Sequence, residues 1–229
     1  LKSILNFATI FKQNHACLDV LLNNAGIMMV PYGLTKDGFE NQLGTNHLGH
    51  FALTGLLMDV LKNTPTSRVV NVSSMAHSSG EMDFNNLLYE NGKDYSPIKA
   101  YGRSKLSNLL FTYELQRYFE KNNINSMAIA AHPGFSDTNL ANHLLKKWYF
   151  KLLKPIIFRM AQPAYMGALP QLRASVDPEV KPAEFYGPDG KRQAKGYPVV
   201  VQPKEKAFNK DDARKLWEVS EKLTSVVYS

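Results

Sequence analysis

A chain of 229 residues, 44% of them hydrophobic, has the material for one domain with a substantial core. Its single cysteine, Cys17, excludes an internal disulfide and fits a reducing compartment, and no run of about 18 apolar residues is present to span a membrane. The net charge of +7 and pI near 9.3 come without any nucleic-acid-binding motif, which argues against a nucleic-acid partner and leaves a field that favours anionic cofactors.

In chain order, Leu1, Ile4, Leu5, Ala8 and Phe11 recur at helical spacing and predict an amphipathic first helix, with Cys17 packing at its end as a small apolar residue. Leu18 to Leu22 is a short apolar run ending in Asn23-Asn24-Ala25-Gly26 and reads as a buried strand opening into a polar loop. Thr35 to about Asn63 has a helical pattern with Asn46 in mid-segment, closed by the turn residues Thr64-Pro65-Thr66-Ser67. A second strand, Arg68 to Val72, ends in the hydroxyls of Ser73 and Ser74, which strand alternation sends to opposite faces.

Met75 to Pro97 carries few periodic apolar residues and reads as a long irregular loop of the kind that serves function. Lys99 to about Asn122 returns to helix, with Leu106, Leu109, Leu110, Tyr113 and Leu115 in its buried stripe. A third strand, Met127 to Ala131, runs into His132-Pro133-Gly134. Residues 137–160 are polar and then apolar, which fits a packing helix or an amphipathic surface helix in peripheral contact with a membrane. Gln162 to Ser175 reads as a helix despite Pro170, Glu184 to Gly187 as a last short strand, and Asp211-Asp212 as the cap of a final helix to about Val226.

Tyr101 and Lys105 stand four positions apart at the start of a predicted helix, so they share one face. An ammonium beside a phenol stabilises the phenolate and lowers the tyrosine pKa, which equips the pair for proton transfer near neutral pH. The three strand ends bring their polar clusters to the carboxyl edge of one parallel sheet, where ligands bind. None of the six histidines has partners at metal-ligand spacing, so no metal site is expected.

Asn23-Asn24-Ala25-Gly26, Asn46, Ser74, Tyr101 with Lys105, and Pro133-Gly134 occur in the order that resembles the short-chain dehydrogenases/reductases. The stretch between Ser74 and Tyr101 and the run Tyr186-Gly187-Pro188-Asp189-Gly190 look most like the retinol-dehydrogenase-like branch. The resemblance runs through essentially the whole chain as one domain, 1–229. It implies an α/β Rossmann-like fold with a doubly wound parallel sheet, N-terminally incomplete, since Leu18–Leu22 would be the fourth strand and the first three would be absent. Neither G-x-G-x-x-G nor a looser three-glycine form occurs in the sequence.

The resemblance implies hydride transfer between NADP(H), more than NAD(H), and a hydrophobic carbonyl or alcohol substrate. It makes Tyr101 the proton donor or acceptor, Ser74 the hydroxyl on the substrate oxygen, and Lys105 the group that binds the nicotinamide ribose and lowers the tyrosine pKa. Asn46 would anchor a water linking Lys105 to solvent. Asn23, Asn24, Ala25 and Gly26 would shape the cofactor groove, Pro133 and Gly134 would border the nicotinamide, and Thr138 would supply a nearby hydroxyl. Residues 137–160 would cover the substrate, and the helices at 35–63 and 99–122 would form a homodimer surface. A cytoplasmic location is expected, in keeping with the single cysteine and the lack of a secretory signal pattern. The rival expectation is a non-catalytic or regulatory fragment unable to bind the dinucleotide.

Overall fold

The structure, a computed structural model, describes residues 1–136 and 162–228. Five strands form one sheet in the order β1 (Val20–Asn23), β2 (Ser67–Val72), β3 (Ser126–Ala131), β4 (Phe185–Pro188) and β5 (Pro198–Val200). The first four are parallel; β5 runs antiparallel to β4.

The registers explain how the sheet is covered. Leu21 lies opposite Val69 and Val69 opposite Ala128, while Leu22, Val70 and Ile129 align one residue further on. Because strand side chains alternate, these two rows point to opposite faces. The Leu21 row packs against Phe51, Leu61, Phe111, Leu115 and Phe119 from the helices on one side. Val70 and Ile129 pack with Ala174 on the other, against the helix Ala164–Val176.

Helix α1 spans Lys2–Asn14. The next helical stretch begins at Asn41, not Thr35, because the Glu40 carboxylate caps it, accepting from the backbone N–H of Gln42 and Leu43 at 2.8 Å each. It runs as α2 (Asn41–Leu43), a π-helical turn (Gly44–Leu48), α3 (Gly49–Leu56) and α4 (Met58–Lys62). Helix α5, Pro97–Lys121, starts on a proline, whose missing N–H costs nothing in a first turn. Helices α6 (Ala164–Val176) and α7 (Lys210–Thr224) follow.

Several sequence expectations change. The last helix is capped by Asn209, whose Oδ1 accepts from the N–H groups of Asp211 and Asp212, so the acidic pair lies inside the first turn. Cys17 is exposed rather than packed. Strand β5 was not expected, since Pro198–Val200 is too short for a periodic signal. Helices cover both faces of the sheet, but the strand order rises from β1 to β5 without the reversal of a doubly wound sheet among the described residues. These strands give no support to the expectation that three others are absent. Helix α7 lies across α5, with Trp217 stacked on Tyr118 at 5.7 Å and the Ser220 hydroxyl 2.9 Å from His47 Nε2. The chain's own last helix therefore takes up part of the surface expected for a dimer. No described helix is long and apolar enough to cross a membrane. The expected substrate cover at 137–160, and Thr138 within it, lie outside the described residues.

Candidate active site

The carboxyl ends of β1, β2 and β3 open onto one cavity of about 520 Å³, bordered by Asn24, Ala25 and Gly26 after β1, Ser73 after β2, Pro133 after β3, and Tyr101 and Lys105 from α5. Such a volume lies within the range of small-molecule sites.

Tyr101 and Lys105 share a helical face as expected, with Nζ 5.8 Å from the tyrosine ring centre. Both are buried. The ammonium donates to Val72 O at 3.0 Å, which fixes it at the end of β2. The electrostatics differ from the expectation. Burial pushes the Tyr101 hydroxyl above its ordinary pKa, and the opposing contribution is a hydrogen bond from Ser74, not the lysine. Burial also lowers Lys105 to about 8, because the charged form has lost its water. A phenol and an ammonium in this state are a protonated acid beside a cation that titrates near neutrality.

Both serines reach α5, through different groups. The Ser73 hydroxyl donates to Lys105 O at 2.8 Å and so faces α5. Ser74, outside the cavity border itself, is the one hydrogen-bonded to Tyr101, and its Oγ accepts from Ala76 N–H at 3.2 Å. The helical turn Met75–Ser79 then leads into the irregular segment before α5. Arg103, inside the Tyr101-to-Lys105 stretch, anchors that segment: it donates to the carbonyls of Glu81, Asn86 and Leu87 and stacks on Tyr89 at 4.1 Å.

Asn46 comes to the site through the π-helical turn, a feature often found at functional positions. Its Oδ1 accepts from Ile27 N–H at 2.8 Å, and its Nδ2 donates to Ile27 O and Ser104 Oγ at 2.9 Å each. Its carbonyl takes His50 Nδ1 at 2.9 Å. Asn46 is a clamp joining the loop after β1 to α5. Gly26 lies against it: a Cβ there would stand 3.1 Å from Asn46 Oδ1 and 3.6 Å from Lys105 Nζ. A side chain at residue 26 would crowd Asn46 and occupy space beside the lysine, so glycine here fits a ligand passing close to the backbone.

Asn23 does not enter this cavity. Its amide donates to Thr54 Oγ1 and Asn71 Oδ1 within the helix-covered layer, and it borders a neighbouring hollow with Ile4 and Leu53. Gly134 does not border the cavity either; it adopts φ +65° at a turn where a Cβ would meet Ala194 O at 2.5 Å. Its N–H donates to His132 Nδ1 at 3.1 Å. The rim holds residues that the sequence reading missed: Leu22, Ile27, Ser136 and the α6 face of Ala164, Gly167, Ala168, Gln171 and Leu172. Those α6 positions recur at i, i+3, i+4, i+7 and i+8, so a helical face with small residues over its first turns was present in the sequence.

A family model described as short chain dehydrogenase matches residues 2–148. Human retinol dehydrogenase 14 is 38% identical over 232 residues, covering 99% of this chain; the chain spans 65% of that protein's length. A crystal structure of an uncharacterised protein from Mycobacterium paratuberculosis superposes with a TM-score of 0.80 at 40% identity, over 100% of this chain and 73% of the other. The Pseudomonas aeruginosa RhlG/NADP complex shares the fold, with a TM-score of 0.57 at 19% identity over 80% of this chain and 69% of its own. The family match begins at residue 2 and does not confirm the expected loss of a glycine-rich N-terminal part.

Proposed function

The chain belongs to the short-chain dehydrogenase family, and from that premise we propose that it is an oxidoreductase that moves a hydride between a nicotinamide dinucleotide and a hydrophobic carbonyl or alcohol. The observation that carries this reading is the meeting of the Tyr101 phenol and the Lys105 ammonium at one strand-end cavity, with the Ser74 hydroxyl bonded to the phenol. A bound dinucleotide supplies or takes up the hydride. Tyr101, held protonated by burial, gives its proton to the carbonyl oxygen during reduction and recovers it in the reverse direction. Ser74 places a donor where negative charge develops on that oxygen. Lys105 holds positive charge beside the phenol and, together with the open cradle at Gly26, Asn24, Ala25 and Pro133, would bind the nicotinamide ribose.

NADP(H) is preferred to NAD(H) in this reading. The net charge of +7 favours the more anionic cofactor, and the RhlG relative was solved with NADP. Leu22, Ile27 and Leu172 at the rim favour an apolar substrate, in keeping with similarity to a retinol dehydrogenase. A homodimer would form beside α7, since that helix already covers part of α5.

The test follows nicotinamide absorbance with NADPH and NADH against long-chain and retinoid aldehydes. The expected result is turnover that falls by roughly 100-fold to 10,000-fold in Tyr101→Phe while cofactor affinity holds. Wild-type-like turnover in that variant removes the proton-transfer role. A wild-type chain that shows no NADPH fluorescence change on binding favours the rival reading of a regulatory protein.

A further inference from the structure

His77 has no assigned part in this chemistry, yet its ring is bonded at both nitrogens within one step of Ser74. It is buried in the turn that follows the serine. Nε2 lies 3.1 Å from the backbone N–H of Lys204, which can only donate. A ring nitrogen that accepts carries no proton, so the proton sits on Nδ1. Nδ1–H then donates to Ser74 O at 2.7 Å, and the same carbonyl receives His77's own N–H at 3.0 Å. Phe185 from β4 packs edge-on against the ring at 5.8 Å. Lys206 Nζ ties the far end of the turn, donating to Gly80 O at 2.8 Å.

We propose that His77 is a positioning residue for Ser74: its Nδ1–H locks the serine carbonyl and so sets where the serine hydroxyl stands against Tyr101, while its Nε2, accepting from the Lys204 backbone, keeps the proton on Nδ1. The charged and titratable groups facing the ring are Lys204 and Lys206, with His132 across Phe185. Burial and both lysines disfavour the imidazolium and so preserve the tautomer that the two bonds require. The inference rests on the reading of Ser74 and Tyr101 as partners in hydride-transfer chemistry.

Two substitutions separate the two bonds. His77→Asn keeps an amide N–H near the Nδ1 position; His77→Gln keeps an amide oxygen near the Nε2 position. The expected result is a kcat lowered roughly 10-fold to 100-fold in His77→Gln with cofactor KM unchanged, and a kcat close to wild type in His77→Asn. A second readout needs no turnover: with carbon-13-labelled tyrosine, the Tyr101 titration moves further up in His77→Gln and stays in place in His77→Asn. Equal kcat losses in both variants, or an unmoved Tyr101 titration in His77→Gln, overturn the proposal. If the variants do not fold, nitrogen-15 ring shifts of the wild-type protein decide it, since a proton on Nε2 removes the lock. An inactive wild type whose Tyr101 titration still splits between the variants overturns the enzymatic reading and leaves the positioning role standing.

Discussion

The floor and the rim of the cavity are built on opposite principles. On the floor and directly behind it, Ser73, Lys105, Asn46 and Asn108 are buried and bonded within the protein: Lys105 and Asn108 share Val72 O, and Asn46 joins Ile27 to Ser104. On the rim, Leu22 and Leu172 are 39% and 51% exposed, and their side chains are apolar. A satisfied buried network holds its members in one geometry, and its low-dielectric surroundings shift their pKa values. An exposed apolar rim does neither; it provides surface for an apolar ligand or partner. The comparison places chemistry on the floor and tolerance of change on the rim.

The largest expected effect tests the floor through Lys105. The lysine is a cation below its pKa of about 8 and neutral above it, so kcat/KM for carbonyl reduction should hold steady below that pH and fall about tenfold per unit beyond it. A pH–rate profile flat into the ordinary lysine range would show that burial does not lower Lys105 or that its charge is not required, and in either case the floor would lose its electrostatic distinction.

The next effect is on stability. Burial lowers His47 to about 3 and His50 and His132 to about 4, against an ordinary value of 6.5. The unfolded chain therefore binds more protons between pH 6.5 and about 4, and stability present above 6.5 is lost as the pH falls through that window. Each ring contributes on the order of 1 kcal/mol per pH unit. Urea unfolding across this range should show the decline, and an unchanged midpoint would mean that these rings are accessible to water.

The smallest effect belongs to the rim. Leu172→Ser should alter unfolding free energy by no more than about 0.5 kcal/mol, as expected for an exposed site, while raising KM for a long-chain aldehyde more than for a short one. A large loss of stability would show that the rim is packed in solution and sharpen the comparison in the other direction.

Much of this was legible in the residues. The apolar runs ending in Asn23, Ser73 and Ala131 gave three strands nearly at their observed bounds, because a strand buried on both faces needs continuous apolar sequence. The spacing of Tyr101 and Lys105 gave their shared helical face, since helical geometry is local. Asn46 was visible only as a mid-helix amide; the π-helical turn that aims it at Ile27 and Ser104 has no local signature.

The sequence by itself determined which chemical groups stand at the strand ends and in what order, because periodicity and turn chemistry act over a few residues. Only the tertiary structure decided how those groups are held and charged. The direction of the Tyr101 shift reflects burial, which many distant residues create together. The tautomer of His77 is set by the backbone of Lys204, far along the chain. The α6 rim meets Gly26 and Lys105 only after the sheet has formed. Local geometry can be read along the chain, whereas desolvation and long-range hydrogen bonding come into being with the fold.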